Sequence, residues 1–331
     1  MDRVRAVADT VLYEGYLLWP YRRSALKNQR RWTIGGVYPR RYAERHDDRW
    51  TVHAEFVLDS GAETGIEPAA EPGIEVTLRF LHEVHRQVMD GDTPVDELHR
   101  GTATYTTWQE AREREIGGGV VPLARLLDAP VTIPVEVPPG SEDEEIGDGA
   151  RFTRSWGRVT GRLDVSAVPV EGGAVRVRVE VVNDGDADEH ADAVRAGMLS
   201  AHVVARTGGG AFASSTDPPE RLAAAVAGCA SEGLWPVLAG KPGGYDTVLA
   251  APIVLYDWPQ VAPESPGDLF DGTEIDRLLI LSVLGLSEDE RREMAATDPK
   301  ARRILERCGA LSSDELLALH GTMRDPRRDV W

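Results

Sequence analysis

Two periods divide this chain. Through about Tyr256 apolar positions recur every second residue, and beyond Gly272 they recur every third or fourth. Trp50, Val52, Ala54, Phe56 and Leu58 alternate with polar neighbours, as do Ile74, Val76, Leu78 and Phe80 with Glu75, Thr77 and Arg79, in a strand that can run on to Met89. Val159 to Val170, a Glu171-Gly172-Gly173 turn, and Val175, Val177, Val179 and Val181 set between Arg176, Arg178 and Glu180 predict a hairpin with one packed and one wet face. Asn183-Asp184-Gly185 ends it as a turn. Val11 to Trp19, Gly101 to Trp108, Leu199 to Arg206 and Tyr245 to Tyr256 read as further strands, and Pro218 to Cys229 as a short helix.

After Gly272 the spacing of Ile275, Leu278, Leu279, Leu281 and Leu284 is helical. Ser287 with Glu290 and Ser312 with Glu315 form capping boxes, Asp298-Pro299 reads as N-cap and first helical residue, and Gly309 and Gly321 stand where C-terminal glycines belong. The expected fold is mainly β, built of antiparallel sandwich-like units, with a small all-helical C-terminal region, α+β overall. The acidic, Pro- and Gly-punctuated run Pro138 to Gly149 reads as a solvated linker. It divides a β-rich region 1–140 from a sandwich-like region 150–256, followed by a connector and helices over 257–331.

Charge sharpens this outline. The chain carries 37 Lys+Arg against 55 Asp+Glu, net −18. Between Tyr16 and Trp50 the balance reverses to +6, which leaves −24 on the remainder. The overall charge excludes general nucleic-acid binding, since phosphate contacts need cations. No stretch approaches the roughly 20 apolar residues of a membrane span, and the N-terminus lacks the apolar core of a secretory signal. Two cysteines, Cys229 and Cys308, exclude a disulfide framework. The expected setting is a reducing cytoplasm.

Few residues suggest chemistry. His82-Glu83-Val84-His85 has i,i+3 spacing on a strand, which points its two rings to opposite faces, not to one zinc ion. There is no G-x-S-x-G elbow, no phosphate-binding loop and no dinucleotide fingerprint, so no cofactor is expected. Gly208-Gly209-Gly210 and the run Gly240 to Gly244 read as hairpin loops. Two segments stand out instead. One is basic and aromatic, with Tyr16, Tyr21, Arg22, Arg23, Lys27, Asn28, Arg31 and Trp32 as candidate partner-binding residues, whose aromatics serve equally as interface anchors or as core. The other is a proline-stiffened acidic connector bearing Tyr256, Asp257, Glu264, Asp268, Asp271 and Glu274.

The stretches Tyr16-LLWPYRRSALKNQRRW-Thr33, Pro252-IVLYDWPQVAPESPGDLFDGTEID, Thr297-DPKARRILER and Leu311-SSDELLALHGTMR-Asp325 resemble a family of accessory proteins encoded in actinobacterial gene clusters for the high-affinity uptake nickel–iron (NiFe) hydrogenase. The resemblance runs nearly end to end. It implies a role in assembling, maturing or supporting that enzyme, with a hydrogenase subunit or maturation factor as the protein partner. It does not imply hydrogenase activity, because the paired C-x-x-C motifs that hold a nickel–iron centre are missing. Two alternatives stand beside the accessory factor. One is a metal-dependent hydrolase using acids of 257–276, and the other is a structural subunit of the hydrogenase complex.

Overall fold

Alternation sustained over nine to eighteen residues leaves strands with little choice but to pair. The computed structural model describes residues 3–13, 16, 34–59, 61, 72–101, 103–260, 280 and 282–310. Strands β1 (Thr51–Asp59), β2 (Gly73–Asp90), β3 (Thr93–Val95), β4 (Glu97–Arg100), β5 (Ala103–Thr106), β6 (Trp108–Pro122), β7 (Val131–Val137), β8 (Gly140–Gly147) and β9 (Ala150–Trp156) come first. They are followed by β10 (Val159–Pro169), β11 (Ala174–Asn183), β12 (Leu199–Thr207), β13 (Ala211–Phe212), β14 (Trp235–Leu238) and β15 (Thr247–Ala251). One sheet runs β13-β1-β11-β10-β7, and a larger one runs β14-β15-β12-β2-β9-β8 with β3 and β6 also on β2. All of the inter-strand ladders are antiparallel. Mainly β, antiparallel and sandwich-like is what the patterning predicts.

The apolar faces of the two sheets meet. Phe56 and Leu58 of β1, Leu78 and Phe80 of β2, Leu163 of β10 and Val177 and Val179 of β11 fill the interior between them. The predicted hairpin forms, with Val165 opposite Val179, and Gly185 N–H closes the following turn on Asn183 Oδ1 at 2.8 Å. On β11 the valines are buried while Arg176, Arg178 and Glu180 are partly exposed.

Three expectations change. The stretch expected as a strand from Val11 begins inside helix α1 (Arg3–Tyr13), because Val4, Ala8 and Val11 form a helical stripe that packs on Val204, Val237 and Leu249. The acidic run expected as a linker is β8. Its charge is balanced across the ladder, where Arg154 lies opposite Glu142 and pairs with Glu144 at 2.5 Å. The strands on either side of that run also share sheets, since β1 pairs with β11 and β2 pairs with β9 and β12. Finally, the last β strand spans only Thr247–Ala251, and Pro252, which lacks an N–H, follows directly after it.

Short helices cover the sheet ends: α2 (Arg40–His46), α3 (Leu123–Asp128), α4 (His190–Arg195) and α5 (Ala223–Ala227), the last preceded by a 3-10 turn Glu220–Leu222. At the C-terminal side α6 (Glu288–Thr297) starts with the predicted Ser287–Glu290 capping box, and α7 (Pro299–Gly309) starts with Asp298 as N-cap. Gly309, expected at C′, is instead the last helical residue, two positions before C′, and Ala310 is the C-cap. Ser312, Glu315 and Gly321 lie outside the described residues.

β2 holds the assembly together. Its middle is buried on both faces and still carries Arg79, His82, Glu83 and Arg86. A buried charge must find partners, because leaving water costs several kcal/mol per ion. Arg79 meets Asp9 of α1 and reaches Glu115 of β6 at 3.6 Å. Glu83 lies 3.7 Å from Arg195 of α4. Arg86 pairs with Glu110 at 2.7 Å and donates to the carbonyls of Thr106, Ala296 and Thr297. The last two end α6, where the helix dipole favours a cation. Replacing Arg86 by leucine strips those carbonyls and half the pairing of Glu110. It should cost about 3–5 kcal/mol in denaturant titration, with amide exchange in α6 and α7 rising ahead of the sheets.

His82 also bridges elements. Arg114 can only donate, so its 3.4 Å contact makes Nδ1 the acceptor, and Nε2–H donates to Arg195 C=O at 3.1 Å. Burial, aided by Arg114, holds the His82 pKa down to about 4. His202, fully buried on β12, is likewise held down to about 4, by burial and then by Arg79. Unfolded histidine titrates near 6.5. The unfolded chain therefore binds protons that the folded one refuses, and stability falls as pH drops from about 6.5 toward 4. The full loss is about 3 kcal/mol per histidine at 1.36 kcal/mol per pKa unit. Urea midpoints measured between pH 7 and 5 should show this slope, and the variant His82→Gln/His202→Gln should flatten it.

Candidate binding site

The residues singled out from the sequence fall in three places. Tyr21, Arg22, Arg23, Lys27, Asn28, Arg31 and Trp32 lie outside the described residues, as do Glu264, Asp268, Asp271 and Glu274. Tyr16 is buried, so of its two readings, interface anchor or core, it takes the core one. Its ring meets Tyr13 edge-on at 5.3 Å, and its hydroxyl donates to Asp298 Oδ2 at 2.7 Å. Asp298 Oδ1 accepts the Lys300 N–H at 2.8 Å. One carboxylate therefore caps α7 and fastens the start of the basic segment. Tyr13 donates to Glu113 at 2.7 Å, and burial together with that carboxylate drives its pKa far above the phenol range.

Tyr256 and Asp257 begin the connector and differ sharply. Asp257 is consumed by local structure. Its Oδ1 accepts Leu238 N–H at 2.8 Å, and its Oδ2 accepts the Ser214 hydroxyl at 2.5 Å and that of Thr216 at 3.4 Å. Ser214 Oγ in turn accepts the N–H groups of Thr216 and Asp217. Trp258 follows at φ +52°, a left-handed conformation that costs a non-glycine residue about 1 kcal/mol or more. It is held there by its N–H on Leu238 C=O, its indole N–H on Gly244 C=O, and an edge contact with Tyr245. Tyr256, by contrast, is 67% exposed.

Two further apolar residues are exposed. Val254 is 77% exposed and Trp235 is 38% exposed. Both line a cleft of about 290 Å³ whose floor is Glu55, Phe56 and Val57 of β1 and whose walls include Val226, Cys229, Pro236, Val237 and Leu255. Hydroxyls of Ser215, Thr216 and Ser231 dot its rim. This is an apolar concavity with a few polar groups, at the small end of the ligand-site range. Its chemistry is subdued. Burial, then the Glu55 carboxylate, pushes the Cys229 thiol up to about 11, so it stays protonated at neutral pH. The Glu55 carboxylate accepts Ala230 N–H at 2.9 Å and pairs with Arg178 and Arg176. Among the described residues, no group of three His, Cys, Asp or Glu side chains is placed to hold a metal ion, and no helix is long and apolar enough to cross a membrane.

The sequence pattern marked Tyr256 and Asp257 but missed Trp235, Val254 and the floor on β1. Val254 falls in the stretch read as a strand, Tyr245 to Tyr256, and Trp235 in a stretch given no element. Their exposure follows from pairing, which periodicity does not show. No protein-family model matches the chain, and no curated protein matches it.

Tyr16→Phe removes the hydroxyl donor on buried Asp298 without changing ring packing. A hydrogen bond to a charged group contributes about 1.5–3 kcal/mol, and thermal unfolding should show a loss of that size. A Tyr16 acting as a surface anchor would leave stability unchanged.

Proposed function

We propose that this protein is a non-catalytic accessory factor of the cytoplasm that binds a protein partner during the assembly or maturation of a NiFe hydrogenase. The observation that carries the binding part is the cleft beside β1. Trp235 and Val254, both exposed, line it, and aromatic and aliphatic residues of this kind anchor protein interfaces. The groups in and beside it that have reactive potential are spoken for, Cys229 as a protonated thiol and Asp257 and Glu55 as hydrogen-bond acceptors. The hydrogenase part rests on the resemblance of Tyr16–Thr33, Pro252–Asp276 and the two C-terminal stretches. The hydrolase alternative gains nothing from Asp257, both of whose oxygens already accept hydrogen bonds.

Affinity capture of the tagged protein, with crosslinking, should recover a hydrogenase subunit or maturation protein from the native host. The exposed-residue variant Trp235→Ala/Val254→Ser should fold normally and recover at least about tenfold less, as expected for an interface anchor. Recovery of neither class of protein by the unaltered chain would overturn the proposal. Co-migration with active hydrogenase on native gels would favour the structural-subunit alternative.

A further inference from the structure

β12 and β2 set a buried polar pair beneath α1. His202 of β12 lies directly opposite Arg79 of β2, so both side chains leave the same face of the sheet, with Cβ atoms about 4.5–5.5 Å apart. α1 covers that face, through Asp9 on Arg79 and through Val4, Ala8 and Val11 packed with Val204. Arg79 is 4% exposed and His202 is 0% exposed, so bulk solvent reaches neither.

Each side chain has one polar atom left over. Arg79 Nη2 donates to Asp9, and Nε lies 3.6 Å from Glu115. His202 Nδ1 meets Ser200 C=O at 3.2 Å. A carbonyl can only accept, so Nδ1 carries the proton and Nε2 carries a lone pair. Ser200 stands at φ +51° where the β12–β2 register breaks. Among the described residues, Arg79 Nη1 and His202 Nε2 are buried and have no hydrogen-bond partner. The first can only donate, and the second can only accept. Folded interiors seldom leave such atoms bare, because each has given up its hydration.

We propose that one buried water molecule binds between Arg79 Nη1 and His202 Nε2, accepting from the first and donating to the second. The two atoms define their ligand. It must accept and donate at once, and it must fit within one cross-strand pair under a helix. Chloride or a carboxylate cannot donate to Nε2, and Arg79 already faces Asp9, Glu113 and Glu115. A cation cannot accept from Arg79 and is repelled by it. Water does both, and about two to four polar partners are usual for a buried water. Protonating His202 would set a second donor against the water. Burial, then Arg79, holds the His202 pKa down to about 4, which keeps Nε2 an acceptor at neutral pH.

The test is crystallographic, with a solution check. Crystals of the full chain that show ordered water should hold one density peak within about 3.2 Å of both atoms, with no anomalous signal after a bromide soak. In solution at pH 7, the ¹⁵N-histidine spectrum should show His202 protonated at Nδ1 alone, and its Hε1 should give a cross-peak to a long-lived water. His202→Phe keeps a flat ring but offers no acceptor, so the density peak should be lost while Arg79 stays on Asp9. A proton on Nε2, direct contact of Arg79 Nη1 with His202 Nε2, an empty gap or an anomalous bromide peak between them would overturn the proposal. So would a peak retained in His202→Phe. The unaltered chain decides the question if that variant does not fold.

Discussion

The need to partner four polar side chains on one doubly buried strand organises this protein. Arg79, His82, Glu83 and Arg86 stand on β2 where neither face meets water. Together they draw in four elements: α1 through Asp9, α4 through Arg195, β6 through Glu110 and Glu115, and the end of α6 through its carbonyls. Apolar burial between the sheets supplies the bulk of the driving force. These ionic contacts decide where the peripheral helices sit, since a helix docked elsewhere leaves a charge unpaired in the interior. Tyr13, Tyr16 and Asp298 extend the same seam and join the first helix to the last described one.

Of the exposed large apolar residues, Trp235 and Val254 line the cleft beside β1. Asp257, a connector residue of the sequence reading, and its neighbour Trp258 brace the wall of the cleft by closing β14. The strained φ of Trp258 is held by three separate contacts, so the position of Val254 and Tyr256 just before it is tied to the sheet.

Much of this was legible in the sequence. The valine alternation of β11 gives strand and face, and Ser287, Glu290, Asp298 and Pro299 give two helix starts to the residue. What stayed hidden has a common cause. The acid run of β8 looks like a solvated linker until Arg151 and Arg154 of β9 lie opposite it, and α1 looks like a strand because Val11 and Leu12 are adjacent apolars. The cleft is a product of four stretches of chain, 55–57, 213–216, 226–237 and 254–255. Pairing and non-pairing of backbone edges is tertiary information.

Site-specific photo-crosslinking in cells of the native host tests the central claim, that partner binding occurs at the β1 cleft. A benzoylphenylalanine placed at Trp235 should crosslink to a hydrogenase subunit or maturation protein. The same group at Val168, an exposed apolar position on β10, should not. Equal labelling from both positions, or labelling from Val168 alone, would contradict the account.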